Sequence, residues 1–348
     1  SRLPPPSRPP QPTLPDPPAP RQKDMSYTEE LKQKIYAGGD ITKSEALALV
    51  NEPLERLCAA ADEIREKMCG NRFDMCTIVN GKCGRCSEDC RYCAQSVHYH
   101  TSCQEAYALL PTEKLLEGAR YNREQGVLRY SIVTSGRCLS DEEVNRACES
   151  IREIRRQTDI EVCVSFGLLG EAQFRKIKEA GASRAHCNLE SSRNYFPQVC
   201  TTHTYDEKIT ALKAAERAGL SICSGGIIGL GETMEDRIDM VLTARELGVR
   251  SVPVNLLNPI AGTPYENNRI LTNDEFCRVV AIFRFIIPDG DIRLAGGRGL
   301  LGDKGEKCFG SGANAAISGD MLTTHGITTA ADITLVKKMG YEVRLYDF

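Results

Sequence analysis

Short β-branched or apolar runs recur along most of this chain, each followed by a stretch of helical periodicity, and that alternation most limits the folds open to it. The runs lie at 73–79, 128–134, 160–166, 184–189, 220–227, 251–256 and 291–294, with a further candidate at 314–318. Between most of them lie the helical stretches 112–125, 140–157, 170–180, 204–218, 233–247 and 272–286. A strand–helix unit repeating in this way gives parallel strands with crossover helices. Eight such strands predict an α/β fold, a (β/α)8 barrel of the TIM type, complete or nearly so. An open doubly wound sheet is the alternative. The rhythm is structural only, with no repeat in the sequence itself.

The barrel does not use the whole chain of 348 residues. Ten of the 17 prolines fall within the first 20 positions, so 1–24 reads as an extended polyproline spacer, a linker or added tail ahead of Met25. Residues 25–70 read as an N-terminal helical extension, with patterns near 27–37, 43–49 and 54–68; the barrel is expected over 71–320, and 321–348 as a C-terminal helix and tail packed on it. Net charge is -3, which offers no basic footprint for nucleic acid or an acidic membrane surface. The apolar run 279–287 is too short for a membrane span and is broken by Arg284. The absence of a secretory pattern points to reduced thiols and a cytoplasmic location.

Alternation along the strands gives an unusual interior, because successive side chains point to opposite faces. The apolar set must meet the helices. The other set then faces the barrel axis: Cys76, Asn80, Arg129, Ser131, Cys163, His186, Asn188, Glu190, Cys223, Asn255 and Arg293. Barrels of this type normally fill that space with Val, Ile and Leu. So many polar groups are not buried dry without partners, so a cofactor-and-substrate cavity is expected. On the same alternation Cys187 falls against the helices, as a core thiol.

The 16 cysteines are too few for a disulfide scaffold of this length. Four of them, Cys83, Cys86, Cys90 and Cys93, fall within eleven residues after the first strand, in NGKCGRCSEDCRYCAQS. Zinc is a rival, yet a zinc ribbon expects a second cysteine pair further on, and only Cys103 follows soon. The Cys86-x3-Cys90-x2-Cys93 spacing suits a loop wrapped round a four-iron cubane, with one iron left open to a chelating molecule. Cys83 is left as a loop thiol or spare ligand. Cys58, Cys69, Cys103, Cys138, Cys148, Cys200, Cys277 and Cys308 are read as structural, and His98 and His100 as fixing the return of the loop. The glycines of 225–232 are expected to admit a ligand to the backbone, and 296–314 to be a flexible loop closing the barrel.

The loop, with Tyr92 before its last cysteine and a barrel behind it, resembles the radical S-adenosylmethionine superfamily. Within it, SEDCRYCAQS, NLESS (188–192), CSGGIIGLGET (223–233), SVPVNLLNPIAGTP (251–264) and IRLAGGR (292–298) are similar to the biotin synthase family, from about residue 45 to about 340. The resemblance implies a four-iron cluster on Cys86, Cys90 and Cys93 that binds S-adenosylmethionine and cleaves it to a 5′-deoxyadenosyl radical. It implies cofactor contacts at Tyr92, Ser135, Asn188, Glu190, Lys208 and Ile227, and dethiobiotin contacts at His186, Asn188 and Asn255. Lys208 stands where the family usually has arginine, which keeps the charge and loses the bidentate fork.

A second, auxiliary cluster that supplies sulfur is also implied. Two of its ligands map to Cys163 and Cys223 and its arginine to Arg293, but the third cysteine maps to Ser131. Cys76, facing inward on the adjacent strand, is the expected replacement. The altered ligand set leaves a two-iron or a four-iron cluster open and favours the latter. A flavodoxin- or ferredoxin-type electron donor and a homodimer follow from the resemblance alone. An iron hydrogenase maturase of the same barrel class is the alternative enzyme, and a non-enzymatic iron–sulfur or zinc scaffold the alternative of another kind.

Overall fold

Three helices precede the first strand: α1 (Tyr27–Tyr36), α2 (Lys43–Leu49) and α3 (Leu54–Cys69). Ser26 and Thr42 cap the first two through their side chains, and Gly70, at φ 66°, turns the chain out of the third. The computed structural model describes residues 25–102 and 106–345; the proline-rich stretch 1–24 and Cys103 lie outside the described residues.

Strand and helix then alternate as β1 (Arg72–Lys82), α4 (Thr112–Glu124), β2 (Arg129–Thr134), α5 (Asp141–Gln157), β3 (Glu161–Ser165), α6 (Glu171–Ala180), β4 (Arg184–His186) and α7 (Tyr205–Arg217). The second half runs β5 (Ser221–Cys223), β6 (Gly226–Ile228), α8 (Met234–Glu246), β7 (Ser251–Leu256), α9 (Asn273–Ile286), β8 (Asp291–Leu294), α10 (Glu306–Phe309) and β9 (Ala315–Ile317). The chain closes with α11 (Thr329–Lys338) and β10 (Glu342–Val343). Every pairing among the named strands is parallel, and β9 pairs with β1, so the sheet closes into the expected (β/α)8 barrel. Reciprocal capping boxes start α5, α7, α8 and α9, with Ser140, Thr204, Thr233 and Thr272 against Glu143, Glu207, Asp236 and Glu275.

The apolar helix α9 is buried along its length, which accounts for its hydrophobic sequence. Its Arg284 is enclosed completely and donates to the carbonyls of Gly312, Pro288 and Gly290 and to Asn314 Oδ1, at 2.7–2.9 Å. Among the described residues no helix is long and apolar enough to cross a membrane. The 296–314 segment is not the loose loop expected. Arg298 and Asp332 form a buried ion pair at 2.6 Å, and Cys308 and Phe309 are fully buried, so the segment is held against α11 and the barrel.

The fifth stave departs from a single strand over 220–227. It breaks at Ser224–Gly225 into β5 and β6, yet Cys223↔Ser251 and Gly226↔Val254 keep one register with β7. On its other side the register slips: His186 pairs with Cys223, while Glu190 bridges to Gly226. Four residues of the fourth stave therefore span three of the fifth, a bulge that re-aims the side chains between them. Glu190 takes up the strain at φ 70°. A Cβ on Gly225 would lie 2.0 Å from the Pro253 carbonyl oxygen, and one on Gly226 2.4 Å from that of Glu190. These glycines serve close approach of neighbouring staves rather than of a ligand. Gly225→Ala is expected to cost about 3 kcal/mol or more through overpacking against backbone, read as a lowered urea midpoint; an unchanged midpoint would refute this account.

Candidate active site

The barrel encloses a cavity of about 410 Å³ that opens at the C-terminal ends of the strands. The fifteen side chains assigned to clusters, cofactor or substrate line it: the three loop cysteines, Cys76, Cys163, Cys223 and Arg293, and the remaining eight contacts around Tyr92, Glu190 and Asn255. Asn80 and Arg129, expected on the same inner face, do not line it: Asn80 donates to the Leu322 carbonyl and Arg129 pairs with Asp74. Ser131 lines it too.

At its N-terminal end the cavity rests on buried charge. Arg129 Nε lies 2.9 Å from Asp74, Arg293 Nη2 3.0 Å from Asp74, and Arg72 Nη2 3.0 Å from Asp291. Arg184 joins them through Ser221, and Ser251 receives Arg293 Nε at 3.2 Å. Burial works against the Asp74 carboxylate, but Arg293 and Arg129 hold its pKa well below the usual range. Burial and the neighbouring Asp74 push Asp291 the other way. Four buried arginines thus face two buried aspartates, an excess of cation unusual in a barrel interior.

Cys76, Cys163 and Cys223 are buried on three of the staves above this floor, and Cys223 Sγ lies 3.5 Å from Ser251 Oγ. Burial, then the proximity of Cys163, pushes the Cys76 thiol up to about 12, and burial raises that of Cys163. Burial thus favours the protonated form of Cys76 and Cys163, while the arginines beneath suit an anionic group bound to the cysteine set. The donor set and the charge both fit an iron–sulfur cluster. Arg293 already donates to Ser251 Oγ and to the carbonyls of Asp74 and Ala316, contacts that hold it beside the thiols.

Towards the mouth, Tyr92 Oη donates to Glu190 Oε1 at 2.8 Å, while Glu190 Oε2 is buried without a partner among the described residues. Lys208 is buried with its Nζ 5.5 Å from the Phe196 ring centroid, and no carboxylate within ion-pair distance among the described residues. An orphan acceptor and an ammonium without a direct carboxylate contact in one cavity suit a ligand with hydroxyl donors and an acid group. Asn255 donates to the Gly226 carbonyl and accepts from the Gly296 amide, at 3.0 and 2.9 Å, which leaves one N–H and one lone pair for a ligand. Asn188 accepts from Gly225 N, and Ser135 donates to the Gly84 carbonyl, tying the cysteine loop to β2.

The loop is pinned by its own backbone. Cys86 N donates to the Gln95 carbonyl, Val97 N to that of Cys86 and Cys93 N to that of Cys90, at 2.9–3.0 Å. His98 Nε2 lies 2.9 Å from the Ser87 carbonyl, the return contact expected of it. Two expectations fail here. Cys187 lines the cavity rather than only the helix layer, because the bulge between His186 and Glu190 breaks the alternation on which the assignment rested. Cys200 is not a remote structural thiol: its Sγ, Cys90 Sγ and a His203 ring nitrogen all lie within 4.8 Å of one another. The Cys90 contact, then those of His203 and Thr202, lowers the Cys200 thiol to about 4, and the same contact raises Cys90. Asp74, Arg184, Ser251 and Asp291 were also missed, although the alternation that singled out Cys76 and Arg293 places Asp74 and Asp291 on the same faces.

A parallel barrel with a three-cysteine loop at its open end defines a radical S-adenosylmethionine enzyme fold, and residues 82–244 match the Radical SAM superfamily. Residues 253–342 match the Biotin and Thiamin Synthesis associated domain. Curated relatives include the biotin synthases of Brachyspira hyodysenteriae, 57% identical over 93% of this chain and 97% of theirs, and of Akkermansia muciniphila, 55% over 92% and 100%. That of Clostridium botulinum is 52% identical over 92% and 100%. The chain belongs to the biotin synthase family. Among solved structures, methylornithine synthase (PylB) has a TM-score of 0.78 at 20% identity, covering 90% of this chain and 97% of that one. The hydrogenase maturase HydG of Carboxydothermus hydrogenoformans has 0.76 at 18%, covering 90% and 78%. At such identities both show the fold alone, and the maturase alternative has nothing further in its favour.

Asp74→Asn, which keeps volume and removes charge, is expected to destabilise the protein by about 3–5 kcal/mol, because Arg129 and Arg293 lose their buried partner. Urea denaturation of the cluster-free protein reads this directly, and a loss under about 1 kcal/mol would refute it.

Proposed function

We propose that this chain is a biotin synthase that inserts sulfur into dethiobiotin, at the expense of S-adenosylmethionine and an auxiliary iron–sulfur cluster. The observation that carries the reading is the presence of two cysteine sets in one cavity, one at its mouth and one above its cationic floor. Cys86, Cys90 and Cys93 would hold the four-iron cluster, and Cys76, Cys163 and Cys223 the auxiliary one, with Arg293 beside it. Four irons is the reading favoured for the auxiliary cluster. When bound, the first supplies the electron for reductive cleavage of S-adenosylmethionine and the second supplies the sulfur.

The protein's own groups bind, orient and exclude water. The buried Lys208 ammonium receives the acid group of the methionine moiety. Glu190, fixed through Oε1 by Tyr92, accepts from ribose hydroxyls with Oε2. Asn188, Ser135 and Ile227 complete that side. Asn255 has one donor and one acceptor left, which match a ureido ring, with His186 and Asn188 as neighbours. A flavodoxin- or ferredoxin-type donor, a homodimer and a cytoplasmic setting belong to the same proposal, as does a division into N-terminal helices, barrel and C-terminal tail.

Anaerobic incubation of reconstituted protein with dethiobiotin, S-adenosylmethionine and a low-potential reductant is expected to yield biotin, detected by mass. Release of 5′-deoxyadenosine without biotin would point to another substrate. Iron and sulfide analysis with Mössbauer spectroscopy of Cys76→Ala is expected to show the mouth cluster alone; a second cluster intact in that variant would overturn the ligand set.

A further inference from the structure

Beside the cysteine loop, and sharing only Cys90 with the ligand sets proposed above, a third group of donors converges. Cys90 Sγ, Cys200 Sγ and one ring nitrogen of His203 lie within 4.8 Å of one another. They come from different parts of the chain: Cys90 from the loop after β1, Cys200 and His203 from the connection between β4 and α7. His203 is only 8% exposed, and Cys200 is buried. The Cys200 Sγ is 3.3 Å from His203 Nδ1. Glu88 Oε2 is 2.5 Å from the same Nδ1, and Thr202 Oγ1 donates to that carboxylate oxygen at 2.8 Å. The nitrogen that meets the Cys200 thiol is therefore Nδ1, with a carboxylate oxygen beside it. An imidazole nitrogen, two thiols and a carboxylate that converge from separate segments make a donor set suited to a divalent transition-metal ion. Cys90, Glu88 and His203 also line the cavity, which gives an ion a route in.

We propose that the cluster-free protein binds one divalent transition-metal ion on Cys90, Cys200 and His203 Nδ1, with the Glu88 carboxylate beside it. Both sulfurs bind as thiolates, any proton they carry passes to solvent, and the binding changes no oxidation state. Two thiolates and an imidazole favour zinc, iron(II) or cobalt(II) over magnesium or calcium. Cys90 is shared with the proposed mouth cluster, so this ion and that cluster exclude one another. The site is then a holding position for a single metal ion when the loop is empty. The binding itself does not depend on what the loaded protein catalyses.

The test uses the full chain, prepared anaerobically without clusters and with its thiols reduced, and cobalt(II) as the probe. Thiolate-to-cobalt charge-transfer bands with tetrahedral visible bands are expected at one cobalt per chain. Cys200→Ser and His203→Gln should each weaken cobalt binding at least roughly tenfold, whereas Cys86→Ser should leave it within about twofold. Circular dichroism matching the parent shows that each variant is folded, and His203→Ala serves as the second variant at that position. Preloading with zinc should slow cluster reconstitution in the parent and not in Cys200→Ser. The proposal is overturned if Cys86→Ser or Cys93→Ser abolishes cobalt binding while the Cys200 and His203 variants retain it. That result would put the ion in the loop's own three-cysteine set.

Discussion

Buried positive charge at the closed end of the barrel sets the conditions for everything above it. Arg72, Arg129, Arg184 and Arg293 are desolvated there, and among the described residues Asp74 and Asp291 are the buried carboxylates paired with them. Charges in such a place persist only when paired or hydrogen-bonded, and the structure spends its resources accordingly. Asp74 takes Arg129 and Arg293, Asp291 takes Arg72 with Arg293 at 3.8 Å, Ser221 accepts from Arg184, and Ser251 accepts from Arg293. The pairing leaves cationic charge over. Three thiols stand beside it, and desolvation favours the protonated form of two of them, Cys76 and Cys163. An anionic iron–sulfur group on those thiols would satisfy both conditions at once, since it neutralises the arginines and replaces protons that burial alone retains.

The shape of the cavity depends on one irregularity between the fourth and fifth staves. Gly225 and Gly226 let the fifth stave press on Pro253 and on Glu190, where side chains would collide with backbone. The slip of one residue that follows carries Glu190 to a positive φ, with Oε1 on Tyr92 and Oε2 free inside the cavity. It also exposes Cys187 to the cavity. A regular strand would present alternate residues only. The bulge presents His186, Cys187, Asn188 and Glu190 in close succession, a denser polar wall than alternation permits.

Where the chain kept a regular local rule, its sequence was readable. Strand–helix alternation placed the staves, and parity placed Cys76, Cys163, Cys223 and Arg293 together, because both depend on backbone geometry that repeats every two or 3.6 residues. Parity failed at Cys187, where one inserted residue broke the count. It had nothing to say about Cys200 and His203, which meet Cys90 from an irregular connection whose path only the packed structure determines. The 296–314 segment looked loose because of its glycines. Its order comes from a pairing of Arg298 with Asp332, which is set by tertiary packing alone.

The exchange of Ser131 for Cys76 has a geometric consequence under the proposed ligand set. Ser131 stands in register with Cys163 on one side and Ile78 on the other, while Cys76 stands in register with Arg129. A thiol at 76 therefore sits one pleat nearer the closed end than one at 131, about 7 Å along the strand, and one stave further from Cys163, about 4.8 Å. The same three-cysteine grip thus becomes wider and deeper. A thiol at 76 also stands nearer the buried guanidinium of Arg129, which lies in register with it and pairs with Asp74, so the deeper position brings the cysteine set closer to the cationic floor.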